Sequence, residues 1–417
     1  MRLIRTVMFI LRVIFGLVYI LSGFFKLMDP VGTGLKLAEY FNVLHLGFLH
    51  GLSVPAGIGW STAEFVTGIA ILMCVRMRFF SWVGLCMESF FTILTLYIAL
   101  FDPIADCGCF GDIVHLTNWQ TFYKNIILLA CAIPIFIFRG KFKPVAPVAA
   151  EWCFIAVFAV IGVVSSIWVY FTRPIIEFGD FKAGSDITLA IEKGYSYAQT
   201  DNTFIYQKDG TRKEFTLDNL PDSTWTYVET VEKGNASGET ETVFDFTITD
   251  AGGGMLTSRI TGGFRPRILV VAYRPENLKA RDWEYISDLA DSLLSIGRLY
   301  VLVPADNGYV AGIEAEYPSL AGRIAYGDYR TLISLSRPNG GIVYFKEGIV
   351  IRKWGKGGLK PQKIKETLTM DSEELTAKVS IGQRLFYEMS ILLIFLIIVM
   401  FRYICGIIYG IRRKPTP

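Results

Sequence analysis

Charge is scarce in this chain. Of 417 residues, 19% are Asp, Glu, Lys or Arg, while 52% are hydrophobic, and the mean hydropathy is +0.41. Soluble domains carry about 25% charged residues, so the whole chain does not read as an ordinary soluble protein. There are three histidines, and the seven cysteines are scattered, which excludes a zinc ribbon or a disulfide scaffold. No P-loop, no dinucleotide fingerprint and no basic patch interleaved with aromatics occurs, so the net charge of +3 gives no reason to invoke nucleic acid. Two local absences matter as much. Residues 172–382 contain no cysteine, so this stretch cannot exchange disulfides itself, and residues 102–117 contain no Lys or Arg.

In place of charge there are long apolar runs. Crossing ~30 Å of hydrocarbon at ~1.5 Å per residue takes about 20 residues. Runs near that length are Val7–Phe25, Gly57–Val75, Arg78–Phe101, Asn118–Phe138, Trp152–Phe171 and Leu385–Phe401, the last continuing after Arg402 to Ile411. They predict six transmembrane helices in contact with a lipid bilayer. The first run is followed by no small-x-small cleavage site and soon by a second run, so it reads as an anchor.

Flanking charge orients these spans. Arg2 and Arg5, then Arg76 and Arg78, then Arg139, Lys141 and Lys143, then Arg412, Arg413 and Lys414 fall on alternate sides, whereas residues 28–56 hold only Lys36. The positive-inside rule puts both termini in the cytoplasm, and residues 102–117 and 172–382 outside it. Of the cysteines, only Cys107 and Cys109 then reach the oxidising side, where disulfides persist. Cys74, Cys86, Cys131, Cys153 and Cys405 read as small buried hydrophobes.

The outer pair sits in Asp106–Asp112 (DCGCFGD). A disulfide across one intervening residue closes a tight ring, and strained disulfides are more oxidising. Gly108 removes the Cβ that would oppose the turn. His115 is the nearby candidate for lowering a thiolate pKa, and equally an interfacial residue. A structural turn is the alternative for the two cysteines, and Cys107, Cys109 and His115 alone fall short of a metal-ligand set. Asp106 and Asp112 are expected to cap the loop or the start of the next span. A second group consists of charges inside the spans: Arg12, Lys26, Glu64 and Glu88. Each costs at least ~2.5–3.5 kcal/mol to insert and normally has a partner. Lys26 and Glu64 can pair if their helices are neighbours. The set is a candidate for proton relay or quinone-headgroup binding, with structural ion pairing as the alternative.

Outside the spans, Thr203–Lys208, Asp209-Gly210 and Lys213–Leu217 predict a hairpin, and Gly234–Glu241 a flexible loop. Further on, Arg267–Tyr273 is a buried strand and Ala280–Ile296 an amphipathic helix. Leu299–Val303 is a second strand, parallel to the first; Gly341–Phe345 and Ile349–Trp354 form a hairpin, and Lys360–Leu368 a last helix. The order β-α-β…β-β-α points to a thioredoxin-like fold. Asp245–Asp250 followed by a Gly-rich turn and a buried strand resembles the entry to a TlpA-type thioredoxin-like domain. Where that family has its Cys-x-x-Cys, this chain reads Tyr273–Lys279 (YRPENLK), and the family's cis-proline falls near Pro338.

The spans carry a resemblance too. Gly16–Pro30 (GLVYILSGFFKLMDP), Ala63–Ala70 (AEFVTGIA) and the DCGCFGD loop resemble the DoxX/MauE family of four-helix membrane proteins over about residues 5–140. The resemblance implies methylamine utilisation, support of disulfide formation in a periplasmic partner, and a bacterial inner membrane. The arrangement is also similar to quinone-linked four-helix thiol oxidases, which use Cys-x-x-Cys instead. The expected fold class is an α-helical membrane bundle plus an extracytoplasmic α/β thioredoxin-like domain with a β-rich lead-in. The expected divisions are 1–145 (DoxX/MauE-like), 146–171 (fifth span), 172–262 (β-rich), 263–382 (degenerate thioredoxin-like), 383–411 (last span) and 412–417 (cytoplasmic tail). Two functions are consistent with this. One is thiol–disulfide exchange through Cys107 and Cys109, with quinone as candidate cofactor and an envelope client docked on 172–382. The other is a non-catalytic accessory or assembly subunit holding an envelope partner.

Overall fold

The computed structural model describes residues 2–101, 116–142, 144, 146–172, 177, 179–192, 202–208, 211–215, 225–232, 246–304, 308–356 and 360–412. They fall in two compact units, one made of the residues up to Gly179 and from Ile381 onward, the other of Asp180–Ser380.

The first unit is helical: α1 (Arg2–Met28), α2 (Pro30–Val43), α3 (Ser53–Met73), α4 (Met77–Phe101), α5 (Asn118–Ile137) and α6 (Val148–Phe171). Among the described residues, six helical stretches are long and apolar enough to cross a membrane: Leu3–Met28, Gly47–Met73, Met77–Phe101, Asn118–Ile137, Val148–Phe171 and Ser372–Ile397. These are the six runs expected from sequence. Helix α2 has no counterpart among those runs. It starts because the Asp29 carboxylate accepts from the Gly32 amide at 2.9 Å and Pro30 occupies the first helical position. Helix α3 ends at Cys74, which takes the left-handed conformation with φ of 58°. Helix α5 begins with a reciprocal capping box. Thr117 Oγ1 accepts from the Gln120 amide at 3.2 Å, and Gln120 Oε1 accepts from the Thr117 amide at 3.0 Å. The cap of this span is therefore Thr117; Asp106 and Asp112 lie outside the described residues. In the bundle α1 runs along α3, α4 along α5, and α6 packs on α3. Phe15, Tyr19, Phe65, Ile69, Leu128 and Phe158 belong to one buried cluster.

Among the described residues, the second unit holds two sheets. Strands β1 (Asn202–Lys208), β2 (Thr211–Phe215) and β3 (Thr226–Glu232) form an antiparallel sheet in the order β2-β1-β3. The predicted hairpin is present, with Lys208 opposite Thr211; its turn, and the predicted loop 234–241, lie outside the described residues. The larger sheet is built from β4 (Ile248–Thr249), β5 (Arg267–Val271), β6 (Arg298–Pro304), β7 (Ile324–Gly327), β8 (Gly341–Lys346) and β9 (Ile349–Trp354). Its order is β9-β8-β5-β6-β7-β4, with β5, β6 and β7 parallel and β4, β8 and β9 antiparallel to their neighbours. The helices of this unit are α7 (Thr257–Thr261), α8 (Ala280–Ser292), α9 (Val310–Glu316), α10 (Tyr329–Leu335), α11 (Pro361–Leu368) and the start of α12 (Ser372–Arg412).

The central strands read as continuous apolar runs because both faces of the sheet are covered. Ile268, Val270, Val301 and Tyr344 pack in one cluster with Trp283 and Ile364 of α8 and α11. Leu269, Val271, Leu302 and Phe345 pack in the other with Leu332 of α10 and with Phe181, Ile187 and Phe246 from the lead-in. The β8–β9 hairpin turns at Glu347 and Gly348, with φ of 54° and 80°, the left-handed pair that a two-residue hairpin turn requires. No cis peptide occurs among the described residues, so the bond at Pro338 is not the one expected by resemblance.

Candidate functional site

The bundle brings three of its buried charges, Lys26, Glu64 and Glu88, together, and small residues make this geometry available. A Cβ on Gly23 would lie 2.6 Å from the Phe65 amide nitrogen, and one on Gly68 would lie 2.7 Å from the Ile20 nitrogen. Only glycine admits so close an approach of α1 and α3, as is common where helices meet in membranes. The approach brings Lys26, near the end of α1, onto Glu64 of α3. The Lys26 Nζ donates to Glu64 Oε2 at 2.8 Å, with side chains 10% and 5% exposed. The ammonium also lies 5.3 Å from the centroid of the Phe91 ring of α4.

Lower on α1, the Tyr19 hydroxyl donates to Glu88 Oε2 at 2.7 Å, and both residues are buried. Phe15 stacks on Tyr19 at 4.2 Å and holds the ring in place. From α5, Asn125 Nδ2 donates to Thr95 Oγ1 at 3.1 Å. A small chamber joins these groups, lined by Tyr19, Ser22, Lys26, Glu64, Glu88, Lys124 and Asn125 with Val18, Phe91 and Leu128. It offers about 10 Å3 to the centre of a water molecule, close to the room one water needs. The chamber gathers two buried carboxylates, an ammonium and a phenol hydroxyl, and is too small for a quinone ring.

Three of the four buried charges expected to matter, Lys26, Glu64 and Glu88, thus meet in one chamber. Arg12 does not join them. Its Nη2 donates to the Leu72 carbonyl at 3.1 Å and its guanidinium lies 5.4 Å from the Phe142 ring, so it holds the carboxyl-terminal end of α3. Sequence position alone left out Tyr19, Ser22, Lys124 and Asn125. The available signal was a polar residue inside an apolar run, which Lys124 and Asn125 both supply. Cys107, Cys109 and His115 lie outside the described residues. Of the other cysteines, Cys74 and Cys131 are buried as expected, but Cys86 and Cys153 are exposed on the outer faces of their helices. An all-round apolar helix gives no phase from which to tell those faces apart.

In the α/β unit, the turn Tyr273–Lys279 follows β5. Asn339 grips its backbone at two points: Oδ1 accepts from the Arg274 amide at 3.0 Å, and Nδ2 donates to the Arg274 carbonyl at 2.7 Å. The Tyr273 hydroxyl donates to the Arg337 carbonyl at 2.8 Å. Beside this turn, Asp282 of α8 accepts from the Lys279 amide and pairs with Lys356 at 2.6 Å. Partial burial pushes the Asp282 carboxyl up, but the hydrogen bonds from Lys356 and Lys279 and the charges of Lys356 and Arg281 outweigh it and hold the pKa below its ordinary value.

Among the described residues, six long apolar helices define a multi-pass helical membrane protein. Compared with known families, residues 4–138 match the model described as methylamine utilisation protein MauE, so the first helices form a MauE-family domain. Residues 200–234, which span the three-stranded sheet, match a domain of unknown function, DUF8463. No curated protein and no solved structure matches the chain.

Proposed function

We propose that this protein supports thiol–disulfide exchange in envelope proteins through Cys107 and Cys109. The observation that carries the reading is the Cys-Gly-Cys motif on the connection between α4 and α5 of a MauE-family domain, the two helices that deliver Glu88, Lys124 and Asn125 to the buried chamber. In the exchange, a client thiolate attacks one sulfur of a Cys107–Cys109 disulfide. The second client thiol resolves the mixed disulfide, leaving the client oxidised and the Cys107/Cys109 pair as two thiols. His115 is the proposed activator of the thiolate. Flanking charge supports an orientation with both termini in the cytoplasm and the loop and residues 172–382 on the periplasmic side of a bacterial inner membrane.

In this reading, residues 263–382 are a thioredoxin-like domain used for docking. The strand order β9-β8-β5-β6, the parallel pair β5 and β6 joined through α8, and α11 after the hairpin support that fold. The turn at Tyr273–Lys279 carries no thiol, which leaves binding as the use of the domain. The same feature favours a second reading, a non-catalytic accessory subunit that holds an envelope partner. Replacing Cys107 and Cys109 by Ser tests the two together, with thiol trapping of client proteins in intact cells. Loss of client disulfides is the expected result; unchanged disulfide content, with damage only on deleting 172–382, favours the accessory reading. Membrane-impermeant labelling of the two thiols checks the orientation.

A further inference from the structure

The edge of the larger sheet where β5, β6 and β7 end collects basic and aromatic side chains. Arg274 follows β5, Arg330 opens α10 after β7, Arg337 precedes β8, and Lys279 and Lys356 flank the start of α8. Among the described residues, the acidic ones nearby are Glu276, Asp282 and Asp328, and two of them are engaged within the domain, one of them with a base of this same group. Asp282 pairs with Lys356, and Asp328 caps α10 by accepting from the Arg330 and Thr331 amides at 2.8 and 3.0 Å.

Arg274 is exposed and held ready. Its backbone is clamped by Asn339, its Nε donates to the Tyr329 hydroxyl at 3.1 Å, and its guanidinium lies 6.0 Å from the Tyr329 ring centroid. Tyr273 meets Tyr329 edge to face at 6.0 Å, so the two half-buried rings brace each other beneath the cation. Arginine and tyrosine on a rigid support are the residues that dominate binding energy at protein interfaces, and a guanidinium fork matches a carboxylate. Carboxyl edges of parallel strands are also where open α/β sheets bind ligands.

We propose that this edge docks a polypeptide segment rich in Asp and Glu, with Arg274 and Tyr329 receiving one of its carboxylates. The proposal rests on the docking role given above to residues 172–382 and is separate from the thiol chemistry. A lipid surface fits less well, because none of the exposed large apolar side chains among the described residues falls within 272–282 or 328–340.

The test is fluorescence anisotropy of a fluorescein-labelled octaglutamate peptide with the full-length protein in detergent at low salt. Saturable binding is expected, weakened about tenfold or more by Arg274→Ala. Arg274→Lys is expected to weaken it too, because an ammonium lacks the fork. Lys213→Ala, on the three-stranded sheet, should change nothing. Because Arg274 is exposed, its variants should keep the parent melting temperature, which separates lost contact from lost fold. Equal binding by the Arg274 and Lys213 variants overturns the proposal. So does displacement of the peptide by equimolar inorganic phosphate, or Arg274-dependent binding of phosphatidylglycerol vesicles without binding of the peptide. Client retention that survives Arg274→Ala, with peptide binding unchanged, would remove this inference and leave the docking reading standing.

Discussion

Replacing Lys26 by Met is the sharpest perturbation of the bundle. At the observed 2.8 Å, two unit charges in a medium of effective dielectric ~20 attract by about 6 kcal/mol. Bringing both ions out of water opposes that gain by several kcal/mol per ion, so the intact pair contributes little net stability. Deleting one member is different, because Glu64 stays behind 4% exposed and its partner is gone. The expected loss is about 3–5 kcal/mol. Contact with the Phe91 ring adds to it, since a desolvated cation over an aromatic face contributes up to about 2 kcal/mol. For that reason Lys26→Met should be worse than Glu64→Gln, which keeps the ring contact. The double variant Lys26→Met/Glu64→Leu should recover most of the loss, because apolar side chains of similar volume replace buried ion pairs at little cost. The assay is reversible unfolding of the full-length protein in mixed detergent with rising dodecyl sulfate, followed by tryptophan fluorescence. Additive losses in the double variant would mean that the two groups are not coupled and that α1 does not face α3 through Lys26 and Glu64.

Other perturbations follow from the same contacts. Tyr19→Phe removes the hydroxyl bonded to Glu88 and should cost about 1.5–3 kcal/mol in the same unfolding assay, as expected for a hydrogen bond to a charged group. Gly23→Leu should cost at least ~1–3 kcal/mol or abolish assembly, read by gel filtration, because even its Cβ would press on the backbone of Phe65. Asp282 supplies a pH dependence: its folded pKa is held below the ordinary value of 3.8, so the unfolded chain binds the proton first as pH falls. The resulting stability, on the order of 1 kcal/mol, is complete above that value and lost as pH drops through the folded value. Asp282→Asn should therefore flatten the melting temperature of the α/β unit between acid and neutral pH.

How much was legible in the sequence differs from element to element. Length and hydropathy alone place the membrane helices, because the bilayer sets one thickness and each span must satisfy it by itself. Local chemistry likewise marks the Asn202–Phe215 hairpin, the β5–α8–β6 crossover and the β8–β9 hairpin, where strand periodicity and turn residues agree. Weaker local signals hide other elements. The two-residue strand β4, the four-residue strand β7 and helix α2 owe their places to the pairing or cap they find. The lead-in residues Phe181 and Ile187 give no hint in sequence that they complete one face of the larger sheet.

The amino-acid order by itself thus determined that six apolar runs are long enough to span a membrane, that some of them carry charges, and that a thiol-free stretch separates the last two along the chain. Tertiary structure decided which charges meet. Lys26 and Glu64 are separated by 38 residues and Tyr19 and Glu88 by 69, and Arg12 goes to a helix end instead of the chamber. The physical reason is that lipid is as apolar as a membrane-protein core, so hydropathy carries no record of which face of a helix turns inward. That choice is made by close contacts such as Gly23 against Phe65, and by buried polar groups that must find one another once water is absent.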